Sequence, residues 1–567
     1  MPEHDKQEWY EDIFKQYEDM LHSNKHAWYV DVQSYTEDLV CLRTVSPSAD
    51  ENIGAWIIGL LSKDSLSDKY TRIGLDPLEG DPYERQNTYA FLRGQSSKTL
   101  VLLGHIDTVG TQDYGTLEDI ALSPHALAQK RDELGPVLEG TNPNDWLFGR
   151  GTADMKSGVA VNIAIMRYFA SRATPPLISL LFLATPDEEN ESAGVLQAVR
   201  LLTRMRTQYE LTYVGAINTD YTTAQYPGDP HRYVYNGTIG KLLPSFLCIG
   251  RESHVGTPFN GLDANLLAAE LIRNLSMNDE LCDVQHGQVT APPVTLKATD
   301  LKTHYNVQLP STAYFYLNVL TFTTTPEALL AHLRQFADTA LAEVLRRVDE
   351  AETRWRTTSG IQSQAPSPRE GVILTYAELY TEMVQRLSEQ QVQAELDKVE
   401  EGLPTTMDTR ERSLHLVHKL WTLSGKQGPA VVLYYSPPYY PHVAATKDAL
   451  HDALNAVIAA HPEVPLVQQE YYPYLSDLSY LRLDAGIDTS ALKANMPVWK
   501  QPTSEGKQVG SYYLPLEAIE KLNISVVNFG PYGQGAHQRN EGVMMSYSFD
   551  TLPQLICETI EELGRRL

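Results

Sequence analysis

The residues able to do chemistry in this chain are two widely separated histidines and a short series of carboxylates. His105 and Asp107 stand two apart in the run Leu103-Gly104-His105-Ile106-Asp107-Thr108-Val109. The aliphatic residues 99–103 before them predict a buried strand, and strand alternation turns residues 105 and 107 to the same side at its carboxyl end. A neutral imidazole placed there can bind a metal, and a carboxylate two residues on can hold its tautomer. Buried histidines are common, and what singles this one out is its company. Asp154 follows in Gly149-Arg150-Gly151-Thr152-Ala153-Asp154-Met155-Lys156, then Asp187-Glu188-Glu189, Asp220 and a late His537.

Two zinc ions lying close together need about five or six N/O ligands, including a bridging carboxylate. His105, Asp154, Glu189, Asp220 and His537 are suitable in type and number. Glu188 is then left over beside a ligand. A carboxylate in that place can take a proton from an attacking water and return it to a departing amine.

These groups need a scaffold that brings distant residues together. Residues 158–169 have the apolar spacing of a helix, 177–184 of a buried strand, 194–202 of a helix and 211–217 of a strand. That alternation predicts an α/β fold with a mostly parallel sheet covered by helices on both faces. His105, the 187–189 run and Asp220 each follow a predicted strand, and ligands of such sheets gather beyond the strands' carboxyl ends. One sheet can therefore assemble them. Residues 9–61 read as mostly helical, and the long polar segment 110–148 as an excursion at the mouth of the site. From 238 the character changes to strands rich in β-branched and aromatic residues (240–250, 305–322) alternating with amphipathic helices (263–275, 326–348). This predicts an inserted α+β unit, with a polar exit linker at 357–370 marked by Pro366 and Pro368. The expected organisation is a catalytic domain in two parts, 1–237 and 357–567, around an insertion at 238–356. The second part carries helical and tyrosine-rich additions, and its tyrosines in 434–440 and 471–480 fit either a pocket lining or plain packing.

A formal charge of −26 over 567 residues argues against nucleic acid and anionic membrane surfaces as partners. Four scattered cysteines lack metal-ligand spacing and read as buried thiols of a reducing compartment. The amino terminus lacks the profile of a signal peptide, and no apolar run approaches the roughly 20 residues that span a bilayer. A cytoplasmic protein is expected.

Taken together, Gly104–Val109, Gly149-Arg150-Gly151 leading to Asp154-Met155-Lys156-Ser157-Gly158, Asp187-Glu188-Glu189 and Gly535-Ala536-His537-Gln538-Arg539-Asn540-Glu541 resemble the signatures of the M20 zinc aminopeptidase/deacylase family, in its order. The resemblance implies a zinc-exopeptidase-like catalytic domain with an inserted lid or dimerisation domain. It implies two Zn2+, for which Co2+ or Mn2+ can substitute, with Asp154 bridging them. His105 and Asp220 would complete one site, Glu189 and His537 the other; Asp107 would orient His105, Glu188 would be the general base, and a cis peptide would follow Asp154. Gly237-Thr238-Ile239-Gly240 and the stretch from His254 through Gly261 resemble the lid, in which His254 would stabilise the oxyanion. Length, Asn218-Thr219-Asp220-Tyr221-Thr222 and Ser476-Asp477-Leu478-Ser479-Tyr480 look most like the arginine-utilisation (RocB-type) branch. Two departures concern recognition. The lid stretch 314–322 has Asn318 and Leu320 but no substrate-gripping arginine, and Tyr474-Leu475-Ser476-Asp477 stands where relatives have a glycine-rich segment. The expected function is hydrolysis of an amide or peptide bond in a small peptide or N-acyl amino acid by a cytoplasmic enzyme, able to dimerise through its lid. The alternative is a non-catalytic metal- or ligand-binding regulatory protein that keeps the fold.

Overall fold

Three neighbouring parallel strands end at nearly the same level, and that shared edge organises the protein. In the computed structural model, which describes residues 28–360, 369–484, 487–501 and 511–567, β3 (Lys98–His105) lies between β5 (Ser179–Thr185) and β6 (Thr212–Asn218). His105 pairs with Thr185 and Leu103 with Asn218. The acidic run and Asp220 therefore leave the sheet beside His105. Next to β6 runs β16 (Val526–Asn528), also parallel, whose outgoing loop leads to His537. The helical stretch expected from residue 9, its first part within 1–27, and the linker prolines Pro366 and Pro368 lie outside the described residues.

The chain divides into two compact units. The first runs through Thr238 and resumes as Val443–Leu483 and Pro515–Leu567. Its eight-stranded sheet has the order β1-β2-β5-β3-β6-β16-β7-β15, with β1 (Arg72–Pro77), β2 (Gln86–Leu92), β7 (Arg232–Tyr235) and β15 (Leu466–Gln469) outside the parallel core. β1 and β2 are antiparallel, as is β7 against β16. Strand alternation splits the buried residues between two faces. Leu100, Leu102, Leu180, Phe182 and Ala184 join a core with α1 (Trp28–Cys41), α2 (Gly54–Ser62), α3 (Ser157–Ser171), α10 (Ala449–Ala460) and α11 (Leu552–Arg566). Val101, Leu103, Leu181 and Leu183 are buried on the other side, and α4 (Ala193–Tyr209) rests on β2 and β5. The periodicity explains both helix types. α3 is buried almost all round, whereas α11 places Leu552, Leu555, Ile556, Ile560 and Leu563 on one stripe. A small sheet of β4 (Trp146–Phe148), β17 (Gly533–Gln534) and β18 (Gly542–Met544) ties the 110–148 excursion to the loop that bears His537.

The second unit comprises Ile239–His442 and Asp484–Leu514. Its sheet has the order β11-β12-β8-β14-β13, formed by β8 (Gly240–Ile249), β11 (Val294–Asp300), β12 (Thr312–Thr321), β13 (Val372–Thr375) and β14 (Ala430–Tyr440). A hairpin of β9 (Val284–Gln285) and β10 (Gln288–Val289) stands apart. The helices are α5 (Ala264–Leu275), the long α6 (Pro326–Thr358) and α7 to α9 (Tyr376–Arg386, Glu389–Glu401, Thr409–Ser424). The expected end of the insertion at 356 is corrected here. β14 pairs antiparallel along β8 and β13 parallel along β14, so backbone hydrogen bonding carries this sheet on to Tyr440. Tyr434, Tyr435, Tyr439 and Tyr440 are buried within β14 and serve packing. No helix among the described residues is long and apolar enough to cross a membrane.

Candidate metal centre

The five expected ligands come together in the first unit as two overlapping groups. His105, Asp154 and Asp220 form one; Asp154, Glu189 and His537 form the other, and in each the candidate donor atoms lie within 4.8 Å of one another. His105 Nε2 is 3.0 Å from Asp154 Oδ1. On the other carboxylate oxygen, Asp154 Oδ2 is 3.3 Å from His537 Nε2, which is also 2.9 Å from Glu189 Oε1. Two donors bound at roughly 2.1 Å to one tetrahedral ion are about 3.4 Å apart. The observed spacings therefore fit divalent ions held by imidazole and carboxylate, with Asp154 offering one oxygen to each group.

Local structure fixes each donor. Asp107 Oδ1 and Oδ2 accept the backbone N–H groups of Glu188 (3.1 Å) and Glu189 (3.0 Å), which sets the turn that presents both carboxylates. The His105 ring faces the same residue, with Nδ1 3.1 Å from the Asp107 carbonyl oxygen and 3.6 Å from its carboxylate. Asp107 thus orients the imidazole largely through its backbone. Asn528, at the end of β16, brackets Asp220: its side-chain amide donates to the Asp220 carbonyl at 2.9 Å and its Oδ1 accepts the Asp220 N–H at 3.2 Å. Two glycines permit the close approach. A Cβ on Gly158 would lie 1.9 Å from the Thr219 carbonyl oxygen, and one on Gly530 1.9 Å from that of Asp220. The Asp154–Met155 peptide is cis.

The electrostatics are those of a crowded acidic site. Burial, then the Asp477, Glu189 and Asp220 charges, push the Glu188 carboxyl well above its ordinary range. Burial and Asp154 do the same to Asp220 and raise Glu189. Burial alone would raise Asp154 and lower His105. Their mutual contact, with His537 on Asp154 and Asp107 on His105, instead drives Asp154 down and His105 well up. His537 is raised to about 11 by its hydrogen bonds to Asp154 and Glu189. These upward shifts mean that the cluster of carboxylates favours protons beside it. A divalent ion would replace them. Glu188 Oε2 is 3.9 Å from His105 Nε2 and belongs to neither donor group.

Several residues that hold the site were not singled out by sequence reasoning. Glu541 is fully buried: its Oε1 accepts N–H groups from Gly151 (2.8 Å), Ala153 (3.2 Å) and Asp154 (3.2 Å). Its Oε2 takes the Arg150 guanidinium at 2.6 Å, while Arg150 also reaches Asp113 (2.5 Å) and the Gly110 carbonyl (3.0 Å). The signal was present, since both residues stand inside the quoted motifs. Asp187 anchors the acidic turn differently, by pairing with Arg85, which also meets Glu51 at 3.1 Å and Asp81 at 2.7 Å. No spacing rule links Arg85 or Glu51 to residue 187. Asp477 is buried and accepts the Thr185 hydroxyl at 2.9 Å; burial pushes its carboxyl up to about 7. Tyr474, partly exposed, stacks on Tyr221 at 5.3 Å, beside Asp220. The 471–480 segment therefore borders the site, which the sequence had left open. His254 lies in the second unit, exposed, with Nδ1 accepting the Gly256 N–H at 3.0 Å. That contact leaves the proton on Nε2, a donor.

Comparison with known proteins shows the family. The Peptidase family M20/M25/M40 matches residues 101–561. Protein RocB of Bacillus subtilis (strain 168) is 31% identical over 552 residues, covering 94% of this chain and 94% of that protein. The uncharacterized protein YqjN of the same strain is 34% identical over 475 residues, 82% of this chain and 84% of that one. Among solved structures, the aminopeptidase PepT of Bacillus cereus ATCC 10987 aligns over 94% of this chain and 98% of its own, at 12% identity and a TM-score of 0.49.

Proposed function

The chain belongs to the M20/M25/M40 peptidase family, in its RocB branch, and is a metal-dependent hydrolase; from that premise we propose that it is a dinuclear zinc enzyme cleaving an amide or peptide bond in a small peptide or N-acyl amino acid. One observation carries the reading: two three-donor groups share Asp154, and beside them stands Glu188, a carboxylate that neither group uses. When bound, the two ions supply Lewis-acid polarisation of the scissile carbonyl and a water acidified towards neutrality. His105 and Asp220 would hold one ion, Glu189 and His537 the other, with Asp154 between them; Co2+ or Mn2+ would serve the same donors. Glu188 would take the proton of the attacking water. It would then pass that proton to the departing amine. His254 would donate from Nε2 to the developing oxyanion.

The setting we propose is arginine or other amino-acid catabolism in the cytoplasm, and the assembly a homodimer through the second unit. β11 is the outer strand of its sheet and exposes Val294 (45%) and Leu296 (54%), a surface suited to a second copy. Light scattering at the mass of one chain would remove the dimer from the proposal. The function is tested by incubating zinc-loaded protein with pooled dipeptides and N-acyl amino acids, read by mass spectrometry beside Glu188→Ala. One compound class should disappear with the wild type alone. Equal loss with both proteins would refute Glu188 as the base. No loss with either would favour a binding protein that keeps the fold.

A further inference from the structure

The 110–148 excursion and the two ligand-bearing loops enclose a cleft of about 480 Å3. One wall is the excursion's residues 136–139. The second is 223–228, which leaves the site three residues after Asp220, and the third is the loop of Gln534, Gly535, Gln538 and Asn540 around His537. The volume lies in the range of roughly 300–1,000 Å3 typical of small-molecule sites. The cleft is built, not incidental. Gln534, buried, accepts the Leu138 N–H at 2.8 Å and donates to the carbonyls of Pro136 and Asn540, each at 3.2 Å. A single amide thus fastens the excursion to the His537 loop. The Arg539 guanidinium adds a bond to the Glu133 carbonyl. The Thr222 and Tyr532 segments pair as a short bridge, so the second and third walls are joined as well.

The lining has a distinct chemistry. Val137, Leu138 and Ala224 make an apolar floor, and Gln225, Gln538 and Asn540 bring amides. Glu139 is the one carboxylic side chain in the lining, and among the described residues it has no ion-pair partner. Among the described residues, no arginine, lysine or histidine lines the cleft. We infer that this cleft is a substrate subsite beside the metal centre that receives an uncharged or cationic side chain and rejects a carboxylate, with Glu139 setting the preference. The inference rests on the proposed metallohydrolase and deepens it. It also assigns a purpose to the excursion, whose tip would be a specificity wall.

Hydroxamates anchor to active-site metals and so test the cleft without requiring turnover. Acetohydroxamate, which has no side chain, and the hydroxamates of lysine, norleucine and glutamic acid would be titrated calorimetrically into zinc-loaded wild type, Glu139→Gln and Glu139→Lys. Glu139 is exposed, so both variants should fold. The wild type should bind the lysine probe about fivefold more tightly than the glutamate probe, the size of a solvent-facing charge contact turned from attraction to repulsion. Glu139→Gln should shrink that ratio, and Glu139→Lys should invert it, while norleucine and acetohydroxamate hold steady. If acetohydroxamate binds but the side-chain probes do not discriminate, or if Glu139→Lys leaves their order unchanged, the cleft inference is overturned and the metal reading stands. If acetohydroxamate itself fails to bind, the metal reading falls and takes this inference with it.

Discussion

Glu541 offers a test in which two substitutions separate two kinds of support. All three backbone N–H groups around Asp154 go to one oxygen, Oε1, and the Arg150 guanidinium goes to the other, Oε2. Glu541→Gln can keep the carbonyl oxygen towards the N–H groups while its amide meets Arg150 donor to donor. Glu541→Ala removes both. Breaking a buried ion pair by deleting one partner costs about 3–5 kcal/mol. Asp113 still pairs with Arg150 through a half-exposed carboxylate, which places Glu541→Gln near the lower end. Glu541→Ala adds three unsatisfied N–H groups, each worth roughly 1–3 kcal/mol and not additive. We expect losses of about 3 kcal/mol for Gln and 5 kcal/mol for Ala, seen by thermal unfolding of the metal-free proteins as falls of roughly 2.5 and 4 °C for a chain of 567 residues.

Zinc affinity should separate the variants more sharply than stability. The N–H of Asp154 is held only by Oε1, so Glu541→Gln should leave zinc binding within about threefold, whereas Glu541→Ala should weaken it about 10- to 100-fold. Competition against a chromophoric chelator measures this directly. Equal loss of zinc affinity in the two variants would refute the claim that the backbone cradle, and not the ion pair, positions the shared ligand.

Three further outcomes follow from the same geometry. Asp154→Ala should lower bound zinc from two ions per chain to less than one by elemental analysis, because both donor groups lose a member; retention of both ions would rule out bridging. His254→Ala should reduce kcat about 10²- to 10³-fold with zinc content unchanged, and an unaltered kcat would remove it from the reaction. Zinc affinity should rise with pH between about 6 and 8. The His537 imidazole, held up at about 11, and His105, also raised, carry protons in the metal-free protein and must release them to the solvent as the ion binds. The sign is fixed, since higher pH makes that release less costly, by about tenfold in affinity per pH unit for each proton. A flat zinc titration across this range would contradict it.

The sheet core and the ligand candidates were legible because their signals are local. The run 99–103 lies within β3, His105 is that strand's last residue, and Glu188 and Asp220 follow their strands within three residues. Short-range periodicity places such residues at a common edge without any knowledge of pairing. What was illegible depends on distant partners. β14 pairs with β8 across most of the second unit, and nothing in 430–440 announces which sheet it joins. Arg85 meets Asp187 across about a hundred residues, in a loop without pattern. The excursion was expected at the mouth of the site, and its contact with Gln534 needed coordinates.

The arrangement around Asp107 explains why so many charges can be gathered at one edge without the turn falling apart. Asp107, Asp154, Glu188, Glu189, Asp220 and Asp477 converge here, and the buried carboxylates repel one another. The turn carrying two of them is fastened by its backbone. Asp107 accepts two consecutive N–H groups, Asp187 is tied to Arg85, and the Asp187 N–H goes to Glu51 at 2.8 Å. Backbone anchoring leaves the Glu188 and Glu189 carboxylates free to face the site, where we propose one as the base and the other as a ligand. Because Asp107 also meets the His105 ring, one residue sets both the imidazole and the turn. The spacing between His105 and the Glu188–Glu189 turn is thus set at a single strand end. The same logic recurs across the site, where Glu541 and Asn528 grip backbone near Asp154 and Asp220. The carboxylates proposed as ligands are positioned through their main chain, which leaves their oxygens to a bound ion.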